Sequence, residues 1–443
     1  MSTLPGTRAR ASVRWTVCAV VAVWLATGCA TWQLRRQSEP IDSMASLRGS
    51  VATQVRSSHP LVVVLVRTDG EAPTLVDHFV VERAGRWSFA VAPGRYAVGA
   101  FEDVDEDGSY DGEPALPATE GPRYELEPGE SVEGIELLIP PDGRARVEGP
   151  VEIAKLQARS IAEQERVSLG QLEALGEVVS LADPRFGPEN GQKGLWRRWD
   201  FVHDVAPGTY FLEACDPRKT PVLFVHGMTG NPREFQALAA DLDRDRFQPW
   251  FYYYPSGARL AHVSDHLSQQ VTKLRLRCRF DQLFVVAHSM GGLVARSFIL
   301  EHYARGGGDY VTLFVSIATP WQGQEAARWA RLAPPGLDLP PSFQDVAPDS
   351  EFIAGIFFED PHTRTVRRRL PRHVSYHMVY GYKRAASRPG PSSDGVVWLS
   401  SGASLAVQEE AETQRAFDYG HAEILRSPEA ATHLSAVLTR AIR

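Results

Sequence analysis

Leu283-Phe284-Val285-Val286-Ala287-His288-Ser289-Met290-Gly291-Gly292 decides the fold of this chain. The unbroken apolar run 283–287 reads as a strand buried on both faces. Leu293, Val294, Phe298, Ile299 and Leu300 then continue as a helix to about Arg305. Ser289 falls at the turn between them. A strand that reverses into a helix over one residue brings backbone from both arms close together, so bulky side chains two places away would collide. Ala287 and Gly291 stand at those two places. Outward from this stretch the alternation repeats. Strands are expected at 210–212, 222–225, 250–254, 311–316 and 373–380, with helices at 233–242 and 260–276. Alternating strands and helices predict an α/β domain with a mostly parallel sheet over residues 206–443.

The run Ala287–Gly292 resembles the nucleophile elbow G-x-S-x-G of the α/β-hydrolases, with Ala287 in place of the first glycine. The resemblance implies that Ser289 is a nucleophile. His226-Gly227-Met228, directly after the strand 222–225, is similar to the oxyanion loop of lipases and esterases. By that match the backbone N–H groups of Met228 and Met290 receive the oxyanion, and His226 shapes the loop. The family order is serine, then acid, then histidine. His421, in Tyr419-Gly420-His421 before the closing helix, is the expected base, while His433 lies on that helix's packing face. Asp394, in Ser393-Asp394-Gly395-Val396-Val397, is the expected acid; Glu325 is a weaker candidate, and Asp418 is too close in sequence to orient the base. Residues 320–372, rich in Pro, Trp and Phe, fall where lipases insert a lid, and their apolar character suits acyl chains. The chemistry implied requires no cofactor.

The N-terminal half carries other signals. Arg8, Arg10 and Arg14 precede the apolar run 15–26, a secretory signal peptide over residues 1–28. Leu25-Ala26-Thr27-Gly28-Cys29 resembles a lipobox, which implies a lipid on Cys29. Ala30 in place of aspartate favours the outer membrane by the same resemblance. Residues 29–50 read as a tether. Short strands divided by glycine turns predict a small β-sandwich over 51–148, similar around 85–101 to transthyretin-like and carboxypeptidase-regulatory-like modules. Its loop holds Asp103, Asp105, Asp107 and Asp111, a pattern that suits either Ca²⁺ or a solvated acidic turn. Residues 149–205 read as a helical linker. Cys215 and Cys278 each precede a strand, and export leaves open either a disulfide or two thiols.

The chain has 443 residues and a net charge of −7, which argues against a nucleic-acid partner. The expected substrate is an acyl ester or lipid, the expected membrane contact the lipid on Cys29, and the expected function a serine ester hydrolase. The same triad would serve a lipid acyltransferase or a thioesterase. A non-catalytic envelope binding lipoprotein would keep the fold without the chemistry. Oligomeric state is not legible.

Overall fold

The computed structural model describes residues 44–55, 57–70, 73–106, 109–145, 151–152, 173–332, 339–383 and 392–442. The expected signal peptide, Cys29, Asp107 and the middle of the expected linker, 153–172, lie outside the described residues.

Eight strands form one sheet: β1 (Ala174–Val178), β2 (Gly208–Phe211), β3 (Thr220–Val225), β4 (Phe247–Tyr253), β5 (Leu283–His288), β6 (Val311–Ile317), β7 (Ser375–Gly381) and β8 (Thr413–Phe417). Their spatial order is β1-β2-β4-β3-β5-β6-β7-β8. From β4 to β8 every neighbouring pair is parallel, while β2 runs antiparallel to β4. Every residue of β5 and β6 is buried, because helices cover both faces of the sheet. Val285 and Ala287 of β5 face the helices α1 (Leu260–Cys278) and α2 (Met290–Ala304). Phe284 and Val286, one residue out of phase, face α3 (Pro428–Ala441) through Leu434, Val437 and Leu438. Cys215 and Cys278 are joined as a disulfide with Cα atoms 5.8 Å apart, linking the approach to β3 with the end of α1. Among the described residues no helix is long and apolar enough to cross a membrane.

Two boundaries differ from the sequence reading. β1 lies inside the stretch read as a helical linker: Leu175 and Val178 have helical spacing, but the segment pairs in parallel with β2 and extends the sheet. The stretch read as a tether to residue 50 ends in a strand, Ala45–Thr53. That strand pairs antiparallel with Gly85–Val91 and parallel with Ser131–Ile139. Its small residues hide it from an apolar pattern, and smallness is required: a Cβ on Gly49 would lie 2.8 Å from the Trp87 ring. This three-stranded sheet faces a second one built on Thr74–Val81, Leu61–Arg67 and Gly94–Glu102. Leu47, Trp87 and Phe89 of the first pack with Val63, Phe79 and Val98 of the second, making a β-sandwich. The sandwich docks on α1, where Gln269 Nε2 donates to the Ser88 carbonyl at 3.0 Å.

Candidate active site

Ser289 sits between the last residue of β5 and the first of α2, with φ 54° and ψ −129°. A left-handed φ is unusual for a residue with a side chain and holds only where the surroundings enforce it. Here they do. A Cβ on Gly291 would fall 2.4 Å from the carbonyl oxygens of Val225 and His226, so the elbow and the loop after β3 are pressed together. Gly227 makes the matching approach from the other side, 2.7 Å from Ser289 Cβ by the same measure.

His421 Nε2 lies 2.8 Å from Ser289 Oγ, and its Nδ1 lies 2.7 Å from Asp394 Oδ2. Facing a carboxylate, Nδ1 carries the proton, which leaves Nε2 to accept from the serine hydroxyl. The other oxygen of Asp394 accepts from the N–H groups of Val396 at 2.9 Å and Val397 at 2.7 Å. Gly395, at φ 98°, lets the chain turn tightly enough to supply both. Burial pushes the Asp394 carboxyl up. The hydrogen bond from His421, its charge and the two N–H groups outweigh burial and hold it below its ordinary value. Asp394 is 3% exposed and Ser289 9%.

On the opposite side His226 is locked as a neutral ring. Its Nδ1–H donates to the Gly227 carbonyl at 2.7 Å, and its Nε2 accepts from the Tyr254 N–H at 3.2 Å. Tyr254 also donates its hydroxyl to the His226 carbonyl at 2.7 Å and stacks on the ring at 4.2 Å. Burial lowers the His226 pKa to about 4. Met228 follows in this loop, half-buried, and Met290 opens α2, where a first-turn N–H has no partner within its helix.

Three residues that sequence reading did not single out belong to this site: Tyr254, Glu234 and His288. Glu234 lies in the helical turn Pro232–Phe235, beyond the loop of His226. Burial raises its carboxyl to about 7 against the pull of the Asn231 N–H, Arg426 and His421. His288 carried a signal only in being the residue before Ser289. Glu325 is elsewhere, paired with Arg328 at 3.0 Å.

The expected lid is a layer of short helices between β6 and β7, of which 333–338 lie outside the described residues. Its base is fixed. Buried Arg296 of α2 pairs with Glu410 at 2.8 Å, donates to the carbonyls of Ile356 and Arg368, and lies over the Phe357 ring. A cavity of about 600 Å³ between this layer and the acid loop is lined by Trp321, Gln322, Phe357, Trp398 and Ser401, among others. In the sandwich, carboxylate oxygens of Asp103, Asp105 and Glu113 lie within 4.8 Å of one another. A Ca²⁺ ion there would take those three as donors, although Glu113 already accepts from the N–H groups of Asp111 and Gly112. Asp111 is not one of the three.

Residues 220–373 match the family described as the alpha/beta hydrolase fold. Solved structures resemble about half of the chain. The lin2722 gene product of Listeria innocua is 17% identical over 51% of this chain and 96% of its own, with a TM-score of 0.37. A Bacillus licheniformis lipase in its mature form is 16% identical over 52% and 95%, with a TM-score of 0.38. Est1E from Butyrivibrio proteoclasticus is 13% identical over 51% and 89%, with a TM-score of 0.34. A search of curated proteins found no match. The chain carries an α/β-hydrolase domain behind a small β-sandwich.

Proposed function

We propose that the chain is a serine ester hydrolase of the lipase and carboxylesterase kind. The observation that carries this reading is the hydrogen-bonded series Ser289–His421–Asp394 at 2.8 Å and 2.7 Å. Ser289 Oγ attacks the acyl carbon while its proton passes to His421 Nε2. The carbonyl π electrons move onto oxygen, where the N–H groups of Met228 and Met290 receive the charge. Such donors are worth on the order of 3 kcal/mol each in the transition state. The tetrahedral centre collapses, the ester C–O bond breaks, and His421 returns the proton to the leaving alcohol. Water, deprotonated by the same nitrogen, releases the acid and restores the serine. Asp394 holds the imidazole tautomer and stabilises the imidazolium.

Hydrolysis of p-nitrophenyl butyrate and p-nitrophenyl laurate tests the reading. Wild-type turnover and its loss in Ser289→Ala are expected. No turnover by the wild type, or undiminished turnover by the variant, overturns it. We also propose that the protein is held to the bacterial envelope, in the outer membrane, by lipid on Cys29. The Cys215–Cys278 bond supports export, because such bonds persist in oxidising compartments. Mass spectrometry of the N-terminal peptide tests the anchor: a diacylglyceryl thioether is expected, and an unmodified cysteine overturns it.

A further inference from the structure

His288 stands outside the proposed chemistry, yet it is one of the nearest groups to the base. It is 5% exposed, and its ring lies 4.7 Å from the His421 ring. Its Nε2–H donates to the backbone carbonyl of His421 at 3.0 Å, across 133 residues of sequence. The N–H of His421 donates in turn to the Asp394 carbonyl at 2.9 Å. Both backbone groups of His421 are therefore held, one by the acid loop and one by the strand that ends at the nucleophile.

These bonds close a circuit. Ser289 Oγ meets His421 Nε2, the His421 carbonyl meets His288 Nε2, and His288 is peptide-bonded to Ser289. A small shift of the elbow then carries the base with it. We propose that His288 is a positioning residue, which fixes the distance between nucleophile and base by tying the base's carbonyl to the nucleophile's own strand. The inference rests on the triad reading above.

The residue type follows from the chemistry. The tie needs a neutral N–H at the reach of an imidazole Nε2. A Lys or Arg would place a permanent cation beside the imidazolium that forms on His421. Burial, and then the neighbouring His421, lower the His288 pKa to about 3. The His288 ring is thus held neutral. His288 Nδ1 is buried with no hydrogen-bond partner among the described residues, so the ring keeps its proton on Nε2.

The test uses three variants of the full chain. His288→Phe keeps a ring but removes the donor. His288→Gln puts an amide N–H near the position of Nε2, whereas His288→Asn is too short. Misplacing a reacting group by about 1 Å costs up to about 100-fold. His288→Phe and His288→Asn should therefore lower kcat at least about tenfold, with KM within about twofold and melting temperature unchanged. His288→Gln should recover to within about threefold of the wild type. Wild-type kcat in His288→Phe, or a His288→Gln as impaired as His288→Asn, overturns the proposal. Where His288→Phe does not fold, the Gln–Asn pair decides. The rate at which a fluorophosphonate labels Ser289 is measured on the same proteins and should follow the same order. It reads the serine–base contact without any ester, so an inactive wild type would sink the ester-hydrolase reading and still leave His288 tested.

Discussion

Asp394 and Glu234 both feel the charge of His421, yet the fold gives them opposite chemistry. Asp394, in the loop after β7, takes N–H groups from Val396 and Val397 on one oxygen and from His421 on the other. Glu234, beyond the loop after β3, has among the described residues only the Asn231 N–H favouring its charge by hydrogen bonding. Burial alone raises a carboxyl; donors aimed at its oxygens reverse the sign. One group is held as an anion, and the other, raised to about 7, crosses protonation states near neutral pH. A carboxylate near a histidine is thus not an acid partner by proximity. The turn that feeds it N–H groups makes it one.

The largest effect that would break this contrast is on turnover. Asp394→Asn should lower kcat/KM by about 10³–10⁴, because the amide no longer enforces the imidazole tautomer. Glu234→Gln should stay within about threefold at pH 7. Ester hydrolysis by the two purified variants checks both, and equal losses would erase the distinction.

Stability against pH comes next. The Glu234 pKa is about 7 in the folded protein, against about 4.3 when unfolded. Its favourable contribution is full below pH about 4 and is lost as pH rises through 7. Glu234→Gln should therefore gain on the wild type as pH rises from about 4.5 to 8, by up to about 3 kcal/mol. Asp394, with its pKa lowered, works the other way: its contribution is present above pH about 4 and fades as pH falls through its folded value. The destabilisation by Asp394→Asn should shrink over that acid range. Urea unfolding at several pH values measures both slopes.

The smallest effect separates the acid loop from its carboxylate. Gly395 has φ 98° and nothing within 4 Å of a built Cβ, so Gly395→Ala adds backbone strain without a clash. It should cost about 1–2 kcal/mol in urea unfolding. A neutral result would show that Asp394 is held without the turn.

How much of this was legible depends on how local each cause is. β3, β5 and β6 are apolar runs with a helix after each, and their own residues announce them. β1 carries only Leu175 and Val178 as apolar side chains beyond its alanine, at a spacing that fits a helix equally well. Ala45–Thr53 has only Leu47 and Val51 as large apolar side chains, spread among small residues and Arg48. Ser289 and Asp394 are readable because an elbow and an Asp-Gly turn are made within six residues. The Tyr254–His226 and His288–His421 bonds span 28 and 133 residues, and nothing local in the sequence encodes them. Two cysteines 63 residues apart fit a bond or two thiols equally well until β3 and β5 are placed side by side.

The Arg296–Glu410 pair has a consequence for traffic. Breaking a buried pair leaves a charge without its partner and costs about 3–5 kcal/mol. Substituting either partner alone would therefore loosen the base of the capping layer. The carbonyls of Ile356 and Arg368 are held by the same guanidinium, so this side of the capping layer is mortared to α2. Phe357, which lies under that guanidinium, also lines the cavity, so a molecule entering there meets a standing wall on that side instead of a moving flap.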